Sequence, residues 1–220
     1  MQKRVYLIVF IAAILASSCN SYKVIKNWKA DNPSMKGKNI LVIGRTSKME
    51  IRKAYEDEIT KRLVSNGFQA ISSYTKFPDF DPTAKITEEQ AQQIKSILEE
   101  NGYNGVVLTA LKDYQENSRE MGQGGYQAAV DYGAMYYPSY YGGFYNYYYN
   151  PMSISSDIVY VEKSGSTITS KTYILETVVY DLDLPEDKQL VAWVTASIEN
   201  PDNAVGTASN YASTIVNSFK

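Results

Sequence analysis

The residue types that could do chemistry are few. The 220-residue chain has one cysteine, Cys19, and no histidine, which removes Ser-His-Asp and Cys-His nucleophile systems and His-ligated zinc. A single Cys forms no intramolecular disulfide. Ser73-Tyr-Thr-Lys76 has the Ser-x-x-Lys spacing in which a lysine assists a serine nucleophile. The companion Ser-Asp-Asn and Lys-Thr-Gly are missing and the segment reads as a strand end, so no catalytic residue is assigned. Asp181, Asp183, Glu186 and Asp187 could offer oxygens to Ca²⁺, but they occupy a hairpin turn without an EF-hand pattern and read as solvated turn residues, as do Asp79 and Asp81 beside prolines. No metal or cofactor is expected. Gly122-Gln-Gly-Gly125 lacks the Lys and the strand-to-helix setting of a phosphate loop and reads as flexible. A pair of facing carboxylates for glycoside hydrolysis is a property of the fold, which keeps a carboxylate-based envelope hydrolase as an alternative.

The cysteine has a context. Lys3 and Arg4 precede an uncharged apolar run from Val5 to Ala16, too short for the about 20 residues of a membrane span and shaped like the apolar region of a secretory signal. The next residues, Ala16-Ser17-Ser18-Cys19, resemble the lipobox read by the bacterial lipoprotein signal peptidase, with Ala16 in the usual Leu position and Leu15 one step further out. The resemblance implies removal of residues 1–18 and attachment of palmitate-type chains to Cys19, and more than one chain makes a stable anchor. Asn20-Ser21-Tyr22 would then open the mature chain, with no Asp at the second position and no acidic cluster. The default address is the outer membrane, lipid-anchored, on its periplasmic face. Loss of Lys3 and Arg4 leaves 20 basic against 24 acidic residues, a net charge of −4, which does not favour nucleic acid. Residues 19–37 are polar and read as a lipidated tether. Its lysines, Lys23, Lys26, Lys29, Lys36 and the adjoining Lys38, either touch anionic head groups or keep the linker solvated.

A second feature is aromatic. From Tyr132 to Ser156 there is no charge, and doublets recur every four residues: Tyr136-Tyr137, Tyr140-Tyr141, Phe144-Tyr145 and Tyr148-Tyr149. Pro138, Gly142-Gly143 and Pro151 argue against a helix, so the tract reads as extended, with alternate rings on opposite faces. Tyrosine couples an apolar face to a polar tip at small rotamer cost. These eight aromatics form the candidate binding surface, for a glycan, a membrane interface or an envelope protein partner. Self-association is a further outcome, and a low-complexity insertion draped over its own sheet is the structural alternative.

The elements that must position these residues follow from periodicity. Asn39 to Gly44 is a short apolar run ended by glycine, a buried-strand pattern. Ile51, Tyr55, Ile59 and Leu63 recur every four residues in a helix over 48–66 that stops at Asn66-Gly67. Phe68 to Tyr74 reads as a strand, Thr87 with Gln90 as a capping box for a helix closed by Asn101-Gly102, and Gly105 to Leu111 as a third strand. Asp157 to Lys163, Thr172 to Leu182 and Gln189 to Ile198 are β-branched and aromatic runs, and a helix starts near Ala204. The order β-α-β-α-β-β-β-β-α predicts an α/β (α+β) fold: a mixed sheet with helices packed on it, one domain over 38–220 carrying a Tyr-rich insertion at 119–156 between strands 3 and 4.

Gly102-Tyr-Asn-Gly-Val-Val-Leu-Thr109, Glu176-Thr-Val-Val-Tyr-Asp-Leu182 and Leu190-Val-Ala-Trp193 resemble uncharacterised bacterial outer-membrane lipoproteins. Their fold looks like the N-terminal domain of TolB, the penicillin-binding-protein activator LpoB and the periplasmic part of the curli secretion lipoprotein CsgG. The resemblance covers residues 38–118 and 157–220 and implies a non-catalytic binding or assembly domain. An oligomeric secretion or pore-assembly subunit is its alternative.

Overall fold

Strand-forming residues collect into one mixed, six-stranded sheet. Tyr22–Lys29 (β1), Asn39–Arg45 (β2), Gln69–Ser72 (β3), Gly105–Glu120 (β4), Thr167–Asp181 (β5) and Leu190–Glu199 (β6) lie in the order β1-β6-β5-β4-β2-β3. β2 runs parallel to β3 and β4, and the other neighbours are antiparallel. The helices are Met49–Ser65 (α1), Ser73–Lys76 (α2), Glu88–Glu100 (α3), Phe144–Tyr149 (α4) and Ala204–Ser218 (α5). This computed structural model describes residues 22–31, 35–84, 87–120, 142–149, 167–199 and 204–218.

The expected fold class is the one observed, and its layers follow from the sequence pattern. β2 is buried on both faces from Ile40 to Arg45, as a central parallel strand must be when helices cover both sides. On one face Tyr55, Ile59 and Leu63 of α1 and Ala208, Tyr211, Ala212, Ile215 and Val216 of α5 pack on Ile40, Val42, Val107, Val179 and Val194. On the other, Leu41, Ile43, Val106, Leu108, Val178, Tyr180 and Trp193 receive Leu98 of α3 and Phe144, Tyr147 and Tyr148 of α4. The capping box forms as predicted: Gln90 N donates to Thr87 Oγ1 at 3.3 Å and Thr87 N to Gln90 Oε1 at 2.8 Å. Gly67 and Gly102 end α1 and α3 at φ of 85° and 71°, a left-handed conformation that side-chain-bearing residues resist.

Four expectations change. The expected tether contains a strand: residues 22–29 form β1, at the edge of the sheet and antiparallel to β6. Lysines spaced three apart break the two-residue alternation by which a strand is recognised. A register shift between Val24 and Lys26 absorbs the mismatch, and Lys suits an open edge. The chain order therefore gains an N-terminal strand, while the predicted strand 157–163 lies outside the described residues.

The tract contains a helix where prolines and glycines argued against one. α4 begins directly after Gly142-Gly143 and ends before Pro151, so the breakers bound it. Phe144, Tyr147 and Tyr148 stand at i, i+3 and i+4 on one helical face and are buried.

Ser73 to Lys76 form a one-turn helix instead of continuing β3. Finally, β4 and β5 are longer than expected, pairing out to Glu120 opposite Thr167. β6 accompanies β5 only to Thr172 and β2 accompanies β4 only to Ala110, so among the described residues the ladder runs on as a two-stranded ribbon.

Candidate functional site

At the end of the sheet where β4 starts and β5 finishes, the chain builds a groove of about 490 Å³, within the range of ligand clefts. Its walls are the C-terminal end of α3 (Lys95, Glu99), Tyr103 and Asn104 before β4, Tyr145 of α4, and Asp183, Glu186 and Gln189 of the β5–β6 connection.

A polar clasp fixes one wall. Lys38 Nζ lies 2.6 Å from Asp181 Oδ1 and 2.6 Å from Asp183 Oδ2, and Asn104 Nδ2 donates to the same Asp183 oxygen at 2.9 Å. Asn104 is itself held by Asn39, whose backbone N–H donates to Asn104 Oδ1 at 2.8 Å. Lys38 is thus no linker residue. Nor is Asp181 a solvated turn residue, for it is buried; Asp183, Glu186 and Asp187 are exposed as expected. Burial draws the Lys38 ammonium down, but hydrogen bonds to Asp181 and Asp183 outweigh it and its pKa is raised. The Lys38 hydrogen bond holds the Asp183 carboxyl below the usual range.

Gln189 fixes the other wall. Its Oε1 accepts from Phe144 N at 3.0 Å, satisfying an orphan donor at the start of α4, and its Nε2 donates to Leu184 O at 3.2 Å. The contact needs Gly143, where a Cβ would collide with Glu186 Cγ and come within 2.9 Å of Gln189 Oε1. With α4 seated, Phe144 stacks edge-on against Tyr145 at 5.0 Å and Tyr180 at 5.8 Å, and Tyr145 lines the groove. Lys95 Nζ stands 5.9 Å from the Tyr145 ring centre. Burial, then the Glu99 charge, raises the Tyr145 pKa, and burial raises that of Tyr103. At neutral pH the groove therefore offers phenolic O–H donors and ring edges beside carboxylate acceptors.

Of the eight aromatics proposed as a surface, Tyr145 lines this groove. Phe144 and Tyr148 are core residues: Tyr148 lies under Arg45, whose guanidinium carbon is 4.4 Å from the ring centre. Tyr149 ends α4. Tyr136, Tyr137, Tyr140 and Tyr141 lie outside the described residues, as does Cys19. Sequence reading missed Lys38, Asn104 and Gln189, which carry no motif and meet only through the sheet.

The Ser-x-x-Lys serine is buried. Ser73 Oγ donates to Glu56 Oε1 at 2.8 Å and accepts from Arg52 Nη2 at 2.8 Å. Glu56 also accepts from Arg52 Nε at 2.9 Å, Gly44 N at 2.9 Å and Tyr74 N at 3.0 Å. These bonds join β2, α1 and α2. Among the described residues no cluster of three or more His, Cys, Asp or Glu could hold a metal ion.

No protein-family model matches the chain, and a search of the curated proteins finds no match. Among solved structures, the PelC dodecamer from Paraburkholderia phytofirmans overlaps 90% of this chain and 97% of its own at 8% identity and a TM-score of 0.44. The lipoprotein GNA1162 from Neisseria meningitidis overlaps 81% of this chain and 94% of its own at 10% identity and a TM-score of 0.38. Similarities this low assign no function. The resemblance to lipoproteins of the TolB, LpoB and CsgG type rests on the sequence pattern.

Proposed function

We propose that the protein is a non-catalytic lipoprotein of the cell envelope, anchored through Cys19 at the periplasmic face of the outer membrane, and that it binds a partner in the groove at the end of the sheet. The observation that carries the binding role is the clasp of Lys38, Asp181, Asp183 and Asn104 on the groove that Tyr145 also lines. The clasp fixes the exposed Asp183 carboxylate, and Gln189 seats the helix that carries the Tyr145 ring, so that both line one open cleft. Such a cleft suits a partner that presents hydrogen-bond donors beside a flat apolar face, whether a glycan or a protein loop. Support for a non-catalytic role comes from Ser73, whose hydroxyl is buried and committed to structural hydrogen bonds on both sides.

A pore-assembly subunit is the second reading, favoured by the β4–β5 ribbon that outruns its neighbours. It would use the uncharged tract as a membrane segment. The seating of α4 in the core works against it, because Phe144, Tyr147 and Tyr148 of the tract are already spent on packing.

Metabolic labelling with a palmitate analogue tests the anchor: the wild type should label and Cys19→Ala should not. A photocrosslinker at position 145, compared with one at the buried position 148, tests the groove. Partners captured from 145 alone support it, and identical capture from both positions removes it. Large ring-sized particles in mild detergent would instead favour the pore subunit.

A further inference from the structure

β1 has a composition unlike the rest of the chain. Residues 20–30 contain three lysines and no acid, although the net charge of the whole is −2. From Lys23 to Lys29 every residue is exposed, and Val24, Ile25 and Trp28 are among the few large apolar side chains that the described residues leave to solvent. The register shift arranges them. Lys23 pairs with Ser197, Lys26 with Thr195 and Trp28 with Trp193, and because those partners alternate along β6, all three side chains share one face. Without the shift, lysines three apart would point to opposite faces. Lys26 Nζ also reaches to 5.8 Å from the Trp193 ring centre on that face.

Resting on the anchor at Cys19, we propose that β1 lies against an anionic phospholipid surface, with Lys23, Lys26 and Trp28 as the contact row. The chain length brings the start of β1 close to the anchor: two residues, Asn20 and Ser21, separate Cys19 from Tyr22, three steps that span a Cα distance of about 11 Å at most. The chemistry is complementary, since ammonium groups pair with lipid phosphates at the membrane surface and an indole favours the headgroup level. A second copy of the chain is the other occupant for a strand that, among the described residues, ends the sheet. Lysines along that edge are the usual means by which such pairing is discouraged.

The test uses the lipidated full chain reconstituted into vesicles of phosphatidylethanolamine with phosphatidylglycerol, or of phosphatidylcholine alone, each carrying a nitroxide on the headgroup. The signal of Trp28 is the difference in emission quenching between the wild type and Trp28→Phe. Strong quenching in phosphatidylglycerol vesicles, weakened by salt, is expected. The docking equilibrium should fall roughly 30-fold on Lys23→Ala with Lys26→Ala, at the per-lysine contribution expected near a charged surface. Palmitate labelling with no Trp28 quenching overturns the lipid contact and leaves the anchor standing, as does equal quenching in both vesicles. Trp28 shielded in detergent within a larger oligomer overturns it in favour of self-association. No palmitate labelling overturns the anchor, and this proposal with it.

Discussion

The chain's two tryptophans, Trp28 and Trp193, stand directly opposite each other across the β1–β6 ladder. One is 41% exposed and the other 6%. A single cross-strand pair thus marks where the core ends and the outer edge begins. Acrylamide should therefore quench only part of the native emission, and Trp28→Phe should remove that part while leaving a blue-shifted, poorly quenched spectrum from Trp193. A uniform quenching curve in the wild type would contradict the exposed placement of β1.

The Lys38 clasp should be visible in stability. Lys38→Met leaves the buried Asp181 carboxylate without its cation, and should cost roughly 1–3 kcal/mol in a urea melt at neutral pH. The sign with pH follows from Asp183. A carboxyl whose folded pKa is depressed contributes stability above its unfolded pKa, and that contribution fades as pH falls through the folded value. Wild-type stability should fall through the acid range, and the Lys38→Met profile should be flatter there.

Gly143 and Gln189 should act together. Gly143→Ala forces a methyl into Glu186 and Gln189, and overpacking of this kind costs about 1–3 kcal/mol. Gln189→Leu strips the bond that satisfies Phe144 N. Either change should loosen α4, read as faster hydrogen exchange over residues 144–149. The double variant should fall short of the sum of the two singles, because both act on one contact.

Alkaline unfolding should begin only above the ordinary tyrosine range. Burial pushes the Tyr148 phenol up to about 12 and raises Tyr55 and Tyr211 well above their usual value. A raised folded pKa means that the unfolded chain loses protons first, so stability is intact below about pH 10 and declines as pH rises beyond it. Phenolate absorbance at high pH should show an early exposed class and a late class that coincides with loss of ellipticity. Complete titration while the ellipticity stays native would count against the buried placements.

Ser73→Ala should change stability and nothing else. The hydroxyl bridges Arg52 and Glu56 inside the core, and its loss should cost about 1–3 kcal/mol. Wild type and variant should both remain unlabelled by a fluorescent penicillin. Covalent labelling of the wild type that Ser73→Ala abolishes would reinstate a catalytic role.

Much of this molecule was legible in one dimension. Tyr55, Ile59 and Leu63 announce α1 because a helix returns every fourth residue to one face, and Thr87 with Gln90 announces α3 because capping is local. The apolar run of β2 reads as a strand buried on both sides for the same reason: each signal is carried by residues within one element. What the tertiary structure decided lies between elements. β1 became a strand because β6 offers it a ladder and a one-residue shift restores an alternation that its lysines conceal. Phe144, Tyr147 and Tyr148 became core because Gln189, forty-five residues from Phe144, caps the helix that seats them. Lys38 meets Asp181 and Asp183 across more than 140 positions. No local pattern encodes such meetings, since a side chain's partner over that distance is set by which strands neighbour one another in the sheet.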